Sequence, residues 1–79
     1  MTGNMTTRRH LFSERLNHIL SEADFPRLAS ERAADFAKVF DLDVISAERI
    51  IDGLMFPAEA LLARIAEEFE VSPAWLSGL

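Results

Sequence analysis

Two apolar helical repeats lie on either side of a connection of only three residues in the central part of the chain. Apolar side chains recur at intervals of three and four residues at Ala33, Phe36, Ala37 and Phe40, and again at Ala47, Ile50, Ile51 and Leu54. This spacing is typical of amphipathic helices. Asp41 can end the first helix because aspartate tolerates left-handed backbone, and Asp43 can cap the second with its carboxylate. We therefore expect a helix-turn-helix over residues 30–53.

The rest of the chain predicts three further helices and no strand. The predicted helices cover residues 8–23, 30–40, 44–52 and 57–70, with a last short one around Trp75 and Leu76. Ser30 and Ser72 are the expected N-caps, Pro57 the expected start of the fourth helix, and Gly53 the expected C-cap of the third. Residues 1–7 show no periodicity and are expected to form a flexible N-terminal arm.

Composition limits the fold to one small domain. The chain has 79 residues, of which 49% are hydrophobic, with 3 Gly, 3 Pro and no Cys. We predict a compact all-α bundle of five helices over residues 8–79, without disulfides or cofactors. Its core is expected to include apolar residues outside the central stretch: Phe12, Leu16, Ile19, Leu20, Ala23, Phe25, Leu28, Ala58, Leu61, Leu62, Ile65, Ala66 and Phe69.

The absence of Cys fits a reducing cytoplasm, which is the expected location. No run of about 18 apolar residues is present, and the N-terminus lacks the apolar segment of a signal peptide, so no membrane partner is expected.

The net charge of −5 is unevenly distributed. Residues 1–40 carry six basic and five acidic side chains, whereas residues 41–79 carry two and eight.

An enzyme is not expected, because the chain lacks a Cys nucleophile, a serine elbow motif and a glycine-rich phosphate loop. His10, Glu14 and His18 share one helix face at a spacing that a divalent metal would accept. No fourth ligand accompanies them, so a solvated helix face is the expected role and no metal is predicted. A small-molecule ligand is not expected either.

A resemblance to Cro/repressor-type (XRE) helix-turn-helix domains rests on the spacing of Phe36, Ala37, Phe40, Leu42, Ala47, Ile50 and Gly53. The continuation is similar to the same family, with Pro57, a helix containing Ile65-Ala66, and the tail Phe69-x-Val71-Ser72-x-x-Trp75-Leu76. The resemblance covers about residues 11–78. It implies a lambda-repressor-like fold and a bacterial or phage transcription regulator, repressor-like, that binds operator DNA as a homodimer.

The resemblance also implies which residues would contact double-stranded DNA. The helix over 44–52 would lie in the major groove, and the expected DNA-binding residues are Arg32, Val44, Ile45, Ser46, Glu48 and Arg49. The candidates for phosphate contacts are Arg8, Arg9, Arg27, Ser30 and Lys38. Arg49 can pair with the O6 and N7 edge of guanine, although an ion pair with Glu48 or Asp52 is an alternative role.

A second interpretation uses the same scaffold for protein contact. Val44 and Ile45 can pack on thymine methyl groups, or can form an apolar patch with Leu54, Met55 and Phe56 that meets another protein. A degenerate helix-turn-helix would then act as a dimerisation or protein-interaction module. Trp75 is expected to close the core, with a dimer contact as its alternative role.

Overall fold

The computed structural model describes residues 4–78, and their side chains from residue 7 onward. The helices are α1 (Asn4–Glu22), α2 (Ala29–Phe40), α3 (Val44–Ile51), α4 (Glu59–Glu68) and α5 (Pro73–Leu76). The described residues contain no strand. The predicted all-α architecture of five helices is confirmed. No helix in this part of the chain combines the length and the apolar character that a membrane crossing needs.

Three predicted helix starts differ from the structure. α1 begins at Asn4 rather than at residue 8, so residues 4–7 of the expected arm are helical, and residues 1–3 lie outside the described part. α2 begins at Ala29, with Leu28 as an N-cap that makes no side-chain hydrogen bond, so Ser30 is not the cap. α4 begins two residues after Pro57, because Ala58 is still in extended backbone with ψ of 157°.

One core joins all five helices. Its buried apolar side chains are Phe12, Leu16, Ile19, Leu20, Ala33, Phe36, Ala37, Phe40, Ala47, Ile50, Ile51, Ile65, Ala66 and Leu76. The apolar positions of α2 and α3 are therefore buried as their periodicity predicts. Ala23, Leu28, Leu54 and Ala58 were expected in the core and are exposed. Each of them lies just outside a helix, where the periodicity that predicts burial no longer applies.

The turn and the caps around α3 follow from particular residues. Asp41 adopts left-handed backbone with φ of 57° and ends α2 as predicted. Asp43 caps α3, its carboxylate accepting a hydrogen bond of 2.6 Å from the Ser46 backbone N–H. Asp52 is the C-cap, and Gly53 follows it with φ of 78°. A Cβ on Gly53 would lie 3.0 Å from the Cβ of Ser13, so this position needs glycine for space as well as for backbone conformation.

Candidate nucleic-acid interface

A connection of three residues fixes the angle between α2 and α3. The backbone N–H groups of Asp41 and Leu42 both donate to the Ala37 carbonyl, which satisfies the end of α2 and reverses the chain direction. α3 then packs inward through Ala47, Ile50 and Ile51. The opposite side of α3 remains on the surface of the domain.

Polar side chains of α1 hold the other end of α3. The Ile51 carbonyl accepts hydrogen bonds from Ser13 Oγ at 2.6 Å and from Asn17 Nδ2 at 3.1 Å. These two residues were not among the predicted site residues. A signal for them exists in the sequence, because Ser13, Asn17 and Ser21 recur every four residues beside the apolar stripe of α1. α3 is therefore anchored at both ends.

The outward face of α3 carries five of the six predicted DNA-binding residues. Val44 and Ile45 expose 45% and 66% of their surface, Glu48 and Arg49 are also exposed, and Ser46 is half-buried. Ile45 and Arg49 are one helical turn apart, as are Val44 and Glu48, so the four form two adjacent rows. The structure thus brings these residues together on one accessible surface.

Arg49 is available for an external partner. Among the residues that the structure describes, no carboxylate lies within ion-pair distance of Arg49, and the close contacts of this kind are His10 with Glu14 and His18 with Glu22. The alternative role as an ion-pair partner of Glu48 or Asp52 is therefore not realised. Its guanidinium keeps its donors free to bind an acceptor outside the chain.

The carboxylate of Asp43 accepts the backbone N–H of Ser46 in the first turn of α3. The hydrogen bond from the Ser46 backbone N–H holds the pKa of Asp43 below its usual range. The carboxylate is thereby kept charged at the N-terminus of α3, where the helix dipole also favours a negative group.

Arg32 is built into the fold and does not belong to the interface. It is only 8% exposed, and its guanidinium donates to the Pro26 carbonyl at 2.8 Å, to Asn17 Oδ1 at 3.1 Å and to Ser21 Oγ at 3.0 Å. These bonds tie the start of α2 to α1. The assignment of Arg32 to DNA is wrong, because all three guanidinium nitrogens are occupied inside the protein.

The candidates for phosphate contacts divide into two groups. Arg8 lies over the Phe56 ring at 5.2 Å and donates from Nε to the Ser77 carbonyl, so it packs α1 against the C-terminal part of the domain. Arg9 is half-buried, whereas Arg27, Ser30 and Lys38 are exposed. Arg8 is therefore engaged within the fold, whereas the three exposed residues remain available at the surface.

Two further arginines also cover aromatic rings. Arg15 lies 5.1 Å from the centre of the Trp75 ring and donates to the Trp75 carbonyl. Arg64 lies 5.8 Å from the centre of the Phe40 ring. With Arg8 and Arg32, half of the eight basic residues are engaged in internal contacts. Trp75 was expected to close the core, but it is 38% exposed and lies outside the core cluster, whereas Leu76 beside it is fully buried.

The surroundings of α3 are acidic. Asp41, Asp43, Glu48 and Asp52 are all exposed, and Arg49 is the one cation among residues 41–52. Such a surface repels phosphates at long range, although salt at physiological concentration screens charges beyond about 8 Å. Any DNA contact by α3 must therefore depend on short-range interactions with the bases.

The described residues hold no group of three His, Asp or Glu placed to bind a metal, and each of the two histidines pairs with its own glutamate on α1. An open groove of about 500 Å³ lies between α1, α4 and α5. Its charged lining residues are Arg8 and Glu59, and the others are mostly apolar.

Comparison with protein-family models, curated proteins and solved structures finds no match for this chain. The resemblance to the Cro/repressor type therefore stays a prediction from the sequence.

Proposed function

We propose that this chain is a sequence-specific DNA-binding regulator of the Cro/repressor type, with α3 as the helix that enters the major groove. The observation that carries the proposal is the position of α3. It is held at a tight turn after α2 and anchored at its end by Ser13 and Asn17, and it has Val44, Ile45, Glu48 and Arg49 exposed together. A major groove about 12 Å wide accepts one helix presented in this way.

Within this proposal Arg49 supplies the main polar contact to a base. Its unpaired guanidinium can donate two parallel hydrogen bonds to the O6 and N7 atoms of guanine. The exposed Arg27, Ser30 and Lys38, together with the half-buried Arg9, are the remaining candidates for phosphates. A homodimer in the cytoplasm would place two copies of α3 on two half-sites about one DNA turn apart. The domain would act by occupying its operator, in the manner of a repressor, without catalysis or a cofactor.

Two substitutions of Arg49 test the proposal by separating the contribution of base hydrogen bonds to DNA affinity from that of the positive charge. Arg49→Lys keeps the charge but loses the planar fork of donors, whereas Arg49→Ala loses both. We expect a duplex selected from a random-sequence library to lose about 1–3 kcal/mol of binding free energy with either variant. The affinity for unselected DNA should fall with Arg49→Ala but not with Arg49→Lys, which keeps the charge. Fluorescence anisotropy at several salt concentrations measures both.

Failure of this proposal has a clear form. If no duplex is enriched from the library at low salt, at protein concentrations well above micromolar, the chain is not a sequence-specific DNA-binding protein. If Arg49→Lys binds the selected duplex as tightly as the wild type, Arg49 does not read a base.

Protein contact through the same face is the second candidate, and one observation favours it. Leu54 exposes 72% of its surface just after α3, so apolar side chains are exposed at both ends of this helix. Exposed apolar groups of this kind can mark protein-binding surfaces. Under this alternative, Ile45→Asp abolishes self-association measured by light scattering. If Ile45→Asp leaves self-association unchanged but abolishes DNA binding, the second candidate is excluded.

A further inference from the structure

The accessible groups of α3 form a small and unusual set. Its two exposed rows carry the hydrocarbons of Val44 and Ile45, one carboxylate at Glu48 and one guanidinium at Arg49. Ser46 adds little exposed surface, since it is half-buried. The first turn of the helix therefore presents branched hydrocarbon to whatever it contacts.

Only one group on the base edges of the major groove makes a favourable apolar contact with side chains such as those of Val44 and Ile45. Bases present hydrogen-bond donors and acceptors there, and thymine in addition presents its C5-methyl group. 5-Methylcytosine carries a methyl group on the same ring carbon. A donor or acceptor pressed against Val44 or Ile45 would lose its water without gaining a partner, which disfavours such bases.

The spacing of the two rows sets the distance between the groups that α3 can read. Ile45 and Arg49 are four residues apart, which corresponds to about 6 Å along the helix axis. Neighbouring bases on one DNA strand are about 3.4 Å apart, so a methyl group at Ile45 and a guanine at Arg49 lie within two base-pair steps. Glu48, in the other row, can accept a hydrogen bond from cytosine N4.

We infer that α3 reads the C5-methyl group of a pyrimidine within two base pairs of a guanine, with Ile45 and Val44 on the methyl group and Arg49 on the guanine. The inference rests on the proposed DNA-binding function and names the class of duplex that it recognises. The acidic surroundings of α3 weaken attraction to phosphates, so methyl contacts make up a larger share of the binding than in a basic DNA-binding domain.

The experiment uses a duplex selected by this chain from a random-sequence library methylated at CpG cytosines. The selected duplex is resynthesised in two forms, one with deoxyuridine in place of thymine and one with cytosine in place of 5-methylcytosine. Both changes remove methyl groups and keep the base pairs. We expect one form to bind about fourfold more weakly for each methyl contact, which is the ratio given by about 0.8 kcal/mol. The form that weakens identifies whether thymine or 5-methylcytosine is the source.

Protein variants locate the contact. Ile45→Ala and Val44→Ala should bring the affinity ratio between methylated and demethylated duplexes toward one. Val39→Ala is the matched control, since Val39 lies on α2 and exposes 45% of its surface, as Val44 does. This control should keep the wild-type ratio. Arg49→Ala should weaken binding but also keep the ratio.

The outcomes that overturn the inference differ from those that overturn the proposed function. A selected duplex that binds equally well in all three forms shows specific DNA binding without methyl recognition, which contradicts the inference alone. A methyl effect that persists in Ile45→Ala and Val44→Ala places the contact elsewhere and also contradicts it. Failure to select any duplex overturns the proposed function, and this inference with it.

Discussion

At the scale of single residues, Arg32 shows how burial changes the role of a cation. An arginine at the start of a helix next to a surface turn is an obvious candidate for phosphate binding. Here its guanidinium donates hydrogen bonds to Pro26, Asn17 and Ser21. The planar fork of N–H groups fits these acceptors, which lie on α1 and on the segment before α2. Arg32 therefore positions α2 against α1.

We expect Arg32→Met to destabilise the domain by about 2–3 kcal/mol. Methionine fills most of the volume but leaves the partly buried Pro26 carbonyl and Asn17 Oδ1 without their charged donor, which is costly. Urea unfolding followed by circular dichroism measures the loss. Arg27→Met is the matched control, because Arg27 is exposed and its substitution should change stability by less than about 0.5 kcal/mol. A similar effect of both variants would contradict the role of Arg32.

At the scale of the elements, the turn between α2 and α3 and the Ser72 cap of α5 could be predicted from the sequence, whereas the starts of α1, α2 and α4 could not. Periodicity and caps such as Asp41 and Asp43 are local signals, and they fix the turn. The start of α2 depends instead on the bond from Arg32 to the Pro26 carbonyl, which joins residues outside the helix pattern. α4 starts late because Pro57 is buried against the rest of the domain while Ala58 stays extended. Such tertiary contacts leave no periodic trace in the sequence.

The Asp43 cap makes the start of α3 sensitive to acid. Because the pKa of Asp43 is lowered in the folded state, the cap contributes stability above the ordinary aspartate pKa of about 3.9. This contribution is lost as pH falls through the lowered pKa. We expect the stability advantage over Asp43→Ala to shrink between about pH 4 and pH 2 in thermal unfolding.

Asp43→Asn is the control for this prediction, since asparagine also caps helices but does not titrate. Its stability relative to Asp43→Ala should vary little over the same pH range. A carbon-detected NMR titration gives the pKa of Asp43 directly, and a midpoint at or above 3.9 would contradict the lowered pKa on which this prediction rests.

At the scale of the whole molecule, the distribution of charge could be predicted only in part. The sequence shows that the acidic residues concentrate after residue 40. It does not show that Arg8, Arg15 and Arg64 lie over Phe56, Trp75 and Phe40, because each pair joins residues far apart in the chain. These contacts stabilise the packing of the helices and remove cations from the pool available to DNA. The candidate interface is therefore narrower than the sequence predicts, and it centres on α3.

The most direct test of this account is an NMR titration of the ¹⁵N-labelled chain with a duplex selected from a random-sequence library. We predict that the largest amide shifts fall on α3 between Val44 and Arg49, with smaller ones at the exposed start of α2. Shifts concentrated in the groove between α1, α4 and α5, with α3 unchanged, would contradict the assignment of α3 as the surface that reads DNA.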